Sequence, residues 1–438
     1  MTAPILKIAP AAHQHAQDLL SFIDASPSPW HATAVMSARL RAGGFNELVE
    51  TEAWKIEAGG RYFVIRGGAS LIAFVAGEAP LAEAGYRMVG AHTDSPGLRL
   101  KPHAAHLADG FIRLGVEVYG SPILATFTDR DLSLAGRVHV RTDKGVEARL
   151  LHVDFPVLRL PNLAIHMNRD VNEQGLRVHR QHELNLLFAV DQGEGPQGFQ
   201  RFLDLHSGEH AGEIVSTELI ACDTQPGTVW GVRSEFLANS QLDNLASCHA
   251  ALVALLEVAQ PPHTAVAAFF DHEEVGSESA RGAAGSFFED VLGRLAEGLA
   301  AHGSDAARAR ARSTFLSVDM AHAWNPNYPA AYEPQHRLMV NAGPAIKHNA
   351  SQRYASDGEG VARFIGWCEA AGVPWQSYVH RSELACGSTI GPLVAARLGI
   401  TTVDVGAPMW AMHSVRESAG VLDSWWLTQA LFEALQQG

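Results

Sequence analysis

His92 and Asp94 stand in GAHTDSPG, and a scatter of similar donors follows them. These are Asp243 in NSQLDNLAS, Glu273 and Glu274 in DHEE, Asp319 in SVDM and His413 in GAPMWAMHS. Zinc accepts imidazole nitrogen and carboxylate oxygen, and a catalytic zinc keeps one position open for water. Two metal ions about 3.5–4 Å apart need a bridging carboxylate and a few terminal donors. One bridging aspartate, with one histidine and one further carboxylate for each ion, is supplied by His92, Asp243, Glu274, Asp319 and His413. Asp94 is left to hydrogen-bond the His92 ring nitrogen that faces away from metal. Glu273 is left as a free carboxylate beside an activated water, which is what a general base requires. Successive residues of an extended segment point opposite ways, so Glu274 meets metal only if the chain turns there. The DHEE spacing is not the HExxH zinc helix. Cobalt or manganese also suits such a donor set.

Each of these residues has an ordinary reading on its own: HTD as a polar turn, EE as a helix start, Asp243 as an N-cap, Asp319 as a turn cap, His413 as a surface histidine. What sets them apart is where they fall. Apolar runs predict buried strands at Tyr86–Ala91, Thr264–Phe270, Phe315–Val318 and Ile400–Val405. Helices are expected over His13–Ala25, then, after the turn-rich SPSPWHA, in a second helix through Arg41, and over Asn244–Val258 and Phe288–Ala301. In an open α/β sheet, ligands bind beyond the carboxyl ends of the strands, where these donors fall. Between them, FIRLGVEVYG, ATFTDRDLSLAGRVHVRT, VEARLLHV and EIVSTELIACD alternate as antiparallel strands do. The expected fold is α/β: a catalytic domain from 1–95 and 228–438, interrupted by a mostly β insertion at 96–227. AHGSDAARARARS reads as an exposed loop or helix end.

The chain has 438 residues, 47% hydrophobic and 18% charged, which supports a large buried core. Its net charge of −14 makes nucleic acid a poor partner. Cys222, Cys248, Cys368 and Cys386 form no CxxC pair, so reduced thiols in a cytoplasmic setting are expected. MTAPILKIAPAAHQHAQ lacks the pattern of a signal peptide, and no apolar run is long enough to span a bilayer. No phosphate-binding glycine loop or GxSxG elbow is present. Cys386 reads as a buried inert thiol rather than a nucleophile, and Trp324 and Tyr328 as core aromatics rather than pocket lining.

The motifs GAHTDSPGLRLKP, SQLDNLAS, DHEEVGSESARGA, SVDMAHA, KHNASQRYASD, CGSTIGP and AMHSVRES, in this order, resemble the aspartyl aminopeptidase family. That family includes the vacuolar aminopeptidase I of yeast, and the likeness is strongest to its bacterial members. The resemblance implies a zinc-exopeptidase-like three-layer α/β/α catalytic domain, an inserted β domain that mediates dimerisation, and a dodecamer built from dimers. It implies two zincs per subunit, with Asp243 bridging them, His92 and Asp319 on one metal, and Glu274 and His413 on the other. Asp94 supports His92, and Glu273 is the general base. The resemblance alone adds two positions. His166, in LRLPNLAIHMNRDVN, would reach a neighbouring subunit's active site, or else stabilise the dimer. Lys347, in GPAIKHN, would meet an acidic substrate side chain, or else form an ordinary salt bridge. The implied activity is removal of the N-terminal residue from peptides, acidic or neutral. Its rivals are a two-zinc deacylase or carboxypeptidase on the same scaffold, and a non-catalytic assembly or cargo protein. Amino-blocked peptides separate the first, and the full set of donors with a base argues against the second.

Overall fold

The computed structural model describes residues 7–208 and 212–437. Residues 1–6, on which the expectation of no signal peptide partly rests, lie outside the described residues. At the centre is a nine-stranded sheet. Its order is Asn46–Leu48, Arg61–Arg66, Ser70–Val75, Thr264–Phe270, Tyr86–His92, Thr314–Val318, Thr401–Gly406, Ala345–His348, Gln376–Val379. The four strands expected from apolar runs are adjacent and mutually parallel, so their carboxyl ends share one rim.

Thr264–Phe270 shows why the sheet is covered on both sides. Every residue of TAVAAFF is buried. Ala265, Ala267 and Phe269 join a core with helices Pro10–Asp24, Pro29–Ala42, Leu242–Glu257 and Val421–Gln436. Val266, Ala268 and Phe270 face the opposite way, toward helices Phe287–Gly298 and Ile390–Leu398. A strand apolar on both faces needs a helical layer on each. The result is a three-layer α/β/α arrangement.

The sheet edges depart from a purely parallel pattern. Ser70–Val75 runs antiparallel to Thr264–Phe270, and Ala345–His348 antiparallel to Thr401–Gly406. Arg61–Arg66 and Ser70–Val75 are joined through Gly67 and Gly68, with φ of +60° and +73°. A link this short closes only an antiparallel pair, because parallel neighbours need a long crossover.

A second, six-stranded sheet is wholly antiparallel and draws its strands from Gly97–Ala108 through Ile214–Asp223. It has its own core around Leu114, Leu134, Val138 and Leu186. A third sheet orders Thr228–Trp230, Phe236–Asn239, Glu417–Gly420, Pro408–Trp410 and Ala321–His322.

Two local expectations are corrected. Ser304–Ala311, within the stretch read as a loop or helix end, is a separate helix. Its alanines and arginines are strong helix formers, and Arg308 and Arg310 sit in the last turn, where the helix dipole favours them. Leu124–Phe127, which overlaps the start of a stretch read as strand, is a 3-10 turn. There the Thr126 and Thr128 hydroxyls donate to the Ile123 and Ala125 carbonyls, holding the backbone away from a ladder. All four cysteines are free thiols, and Cys386 is half-buried rather than buried. Among the described residues no helix is long and apolar enough to cross a membrane.

Candidate metal centre

His92 is the last residue of its strand, and its Nε2 lies 3.5 Å from both Asp243 Oδ1 and Asp319 Oδ1. His413 Nε2 lies 3.3 Å from Asp243 Oδ2 and 3.4 Å from Glu274 Oε1. Asp243 thus turns one oxygen toward each imidazole. Among the described residues three donor triads result: His92–Glu273–Glu274, and the two that share the Asp243 carboxylate, His92–Asp243–Asp319 and Asp243–Glu274–His413. Donors held at about 2.0–2.1 Å in a tetrahedral shell stand about 3.3–3.4 Å from one another, close to the spacing seen here. Asp243 Oδ1 and Asp319 Oδ1 are buried without a hydrogen-bond partner. Unpartnered buried carboxylate oxygen is costly, so this pair of triads fits cations.

The electrostatics point the same way. Burial pushes the Glu273 carboxyl well above the usual range; His92 opposes this, and Asp319, Glu274 and Asp94 add to it. Burial likewise raises Glu274, to about 7. Burial works against protonation of His92 and His413, yet the carboxylates around them prevail. His92 is raised well above its ordinary value and His413 to about 11. Asp243 is held below the carboxylate range, because His413 and His92 outweigh its burial. Positive charge is stabilised here whether protons or metal supply it.

Backbone turns aim these groups. His272 is left-handed at φ +67°, and Glu273–Val275 coils into a 3-10 turn, so both glutamates reach the rim despite being adjacent. The Asp94 carboxylate accepts from the Glu273 and Glu274 N–H groups, at 3.1 and 3.2 Å, and from the Tyr119 hydroxyl at 2.6 Å. The nearest Asp94 group to His92 Nδ1 is its main-chain carbonyl, at 2.9 Å, with Oδ1 at 3.5 Å. Asp94 therefore orients His92 largely through the backbone and spends its carboxylate on the glutamate turn. Asp243 is not an N-cap: it has φ −84° and ψ 103°, inside the start of Leu242–Glu257. Asn244 donates to the Val318 carbonyl at 2.9 Å, tying Asp243 to the strand that ends before Asp319. His413 is left-handed, at φ +68°, with Nδ1 3.1 Å from the Ser121 carbonyl, which leaves Nε2 for the cluster.

Gly406 ends the strand beside Asp319. A Cβ built there would sit 1.7 Å from the Asp319 carbonyl oxygen. Gly406→Ala must push the two strand ends apart. The expected cost is about 1–3 kcal/mol in denaturant unfolding, typical of overpacking, together with a weaker grip on metal through Asp319.

A family profile described as "Aminopeptidase I zinc metalloprotease (M18)" matches residues 22–435. The chain belongs to the M18 family of zinc metalloaminopeptidases. It is 47% identical over 411 residues to a probable M18 family aminopeptidase 2 of Stutzerimonas stutzeri, covering 93% of this chain and 94% of that one. Among solved structures, a chain of the Ape4 and Nbr1 complex superposes with TM-score 0.93 at 37% identity, covering 97% of this chain and 85% of that one. The S. cerevisiae mApe1 dodecamer gives 0.84 at 27% identity, with 96% and 95% coverage. The M18 chain is therefore a hydrolase of the aminopeptidase class, and its family's metal is zinc.

Two further residues named from sequence fall differently in this M18 chain. Lys347 is buried, with Nζ 3.5 Å from Asp319 Oδ2 and 5.3 Å from the centre of the Tyr354 ring. His166 is exposed, and no contact among the described residues joins it to the cluster.

Sequence reasoning passed over several neighbours. His322 stands three residues after Asp319, in SVDMAHA. Burial and then the Lys347 charge lower its pKa to about 4, leaving it neutral. Its ring lies 5.9 Å from that of His380, whose Nδ1 meets the Tyr378 hydroxyl at 2.7 Å. Glu417 sits in AMHSVRES, and neither its type nor its spacing there marks a role. Nothing in the spacing of Tyr119 marked it.

Proposed function

We propose that the chain is a two-zinc aminopeptidase in which Asp243 bridges the metals. In this reading His92 and Asp319 complete one site, and Glu274 and His413 the other. The observation that carries it is the Asp243 carboxylate, with one oxygen toward each histidine. When bound, zinc would polarise the scissile carbonyl and lower the pKa of an attacking water toward about 7. Glu273, 3.9 Å from His92 Nε2, takes the proton from that water and returns it to the leaving amine. Asp94 holds the Glu273 N–H and so fixes the base beside the cluster. The surplus of carboxylates also suits the positively charged free N-terminus of a peptide.

An acidic first residue is the preference we infer, with Lys347 as the cation behind the Asp319 rim. Residues 96–227 serve as the dimerisation unit and carry His166 to a neighbouring subunit. The exposed Leu163, Ile165 and Met167 around His166 support burial against a second copy. The structural likeness to the S. cerevisiae mApe1 dodecamer supports a dodecamer built from dimers. The free thiols fit a cytoplasmic home.

The test is a panel of aminoacyl chromogenic substrates, including amino-blocked ones, with zinc counted per chain. Two zincs, cleavage of acidic residues first, and rejection of blocked peptides are expected. Cleavage of blocked peptides would instead favour the deacylase or carboxypeptidase reading. Chelation should abolish turnover and lower the melting temperature, since a metal at 100 times its Kd adds about 2.7 kcal/mol to stability. Calorimetry with and without chelator measures this, and an unchanged melt with activity retained would contradict it.

A further inference from the structure

We infer that Glu417 is a positioning residue for the Asp243–Glu274–His413 half of the centre, an inference that rests on the two-metal reading above. Its carboxyl is buried at 1% exposure and acts on two separate backbone segments. Oε2 accepts the Asp243 N–H at 3.0 Å, and Oε1 accepts the His413 N–H at 2.6 Å. One side chain therefore clamps the main chain of both residues whose side chains meet at 3.3 Å.

The topology explains why this position can do so. Glu417–Gly420 is the middle strand of the third sheet, paired with Phe236–Asn239 on one side and Pro408–Trp410 on the other. The first neighbour runs out into the turn that delivers Asp243, and the second into the loop that delivers His413. Glu417 makes the last pair of one ladder, with Asn239, one residue beyond the last pair of the other, Trp410 with Ser418. Its carboxyl fills the gap and collects the two N–H groups that the parting strands leave unpaired.

The clamp also explains how the His413 loop keeps its form. Ala411 and His413 are both left-handed, at φ +55° and +68°, a conformation that costs a non-glycine residue energy and persists only when the surroundings impose it. The bond from His413 N–H to Glu417, the contact of Nδ1 with the Ser121 carbonyl and the bond from the Ile123 N–H to the His413 carbonyl, at 2.8 Å, restrain that residue and leave Nε2 directed at Asp243 and Glu274. His92 and Asp319 are held by other means. The Cys248 thiol donates to the His92 carbonyl, and the Asp319 N–H donates to the Val405 carbonyl. Glu417 thus holds His413, which belongs to one site alone, and Asp243, which both sites share, so its effect falls more heavily on the Asp243–Glu274–His413 half.

The test uses Glu417→Gln and Glu417→Asp in the full chain, loaded with zinc. Gln keeps the shape but offers one oxygen and one NH2, so one of the two N–H groups loses its acceptor. Asp keeps the charge but is one methylene too short to reach both. Zinc affinity is measured by competition with a chromophoric chelator, which resolves the two sites without turnover. In both variants the Asp243–Glu274–His413 site is expected to lose about 10–100-fold in affinity, and the His92–Asp243–Asp319 site less. Turnover should return as free zinc is raised. Should Glu417→Gln fail to fold, Glu417→Asp carries the measurement. Two sites of parental affinity in the variants, or equal losses at both sites, would overturn the inference alone. A single zinc in the parent chain would overturn the two-metal reading and this inference with it, and that is seen before any variant is made.

Discussion

Glu273→Gln is expected to lower kcat by about 10²–10⁴-fold while zinc content and KM stay near those of the parent. The carboxyl lies 3.9 Å from His92 Nε2, farther than Asp243 or Asp319, so it is near the cluster without closing on either imidazole. Its N–H is held by Asp94, a bond to the backbone that the substitution leaves intact. Gln has the same shape, but its amide cannot take a proton from water. Burial and nearby carboxylates raise the affinity of Glu273 for a proton, which favours accepting one from water. Steady-state kinetics with metal analysis of the same preparation checks the result. Parental turnover would remove Glu273 from the chemistry. Loss of zinc in step with activity would make it a ligand instead.

Asp243→Asn is expected to abolish turnover and to release metal from at least one site. Its two oxygens face different histidines. An amide offers a single oxygen, and its NH2 would point a donor hydrogen at a cation. The loss of affinity should exceed the roughly 10–100-fold that partners outside the metal shell cost when removed. A chelator should shift the melting temperature of this variant less than that of the parent. Metal counting and paired thermal melts report both effects, and two tightly held zincs in Asp243→Asn would refute the bridging role.

Much of the fold was legible because buried parallel strands leave continuous apolar runs. Thr264–Phe270 matches its expected bounds residue for residue, and Tyr86–Ala91 is extended only by His92. The edges were not legible. Ala345–His348 and Gln376–Val379 are four residues each, too short for a period to stand out, and their direction is set by neighbours distant in sequence. The helix at Ser304–Ala311 was missed because it buries only Ala309 and so shows no apolar stripe.

The candidate site divides along the same line. The donors His92, Asp243, Glu274, Asp319 and His413 could be named from sequence, because zinc accepts few side-chain types and strand ends are where a sheet presents them. Glu417 lay within a quoted motif yet carried no sign of its task. Its partner Asp243 is 174 residues away, and the bond runs to a backbone N–H that every residue but proline possesses.

Sequence alone therefore determined which side chains have the chemistry of metal donors and the layer that carries them, since both follow from side-chain chemistry and local apolar pattern. Only the tertiary structure decided which Asp243 oxygen faces which histidine, that Asp94 acts on the glutamate turn, and that Lys347 lies against Asp319. Those facts are distances between segments far apart in the chain, and such distances exist only once the sheets have assembled.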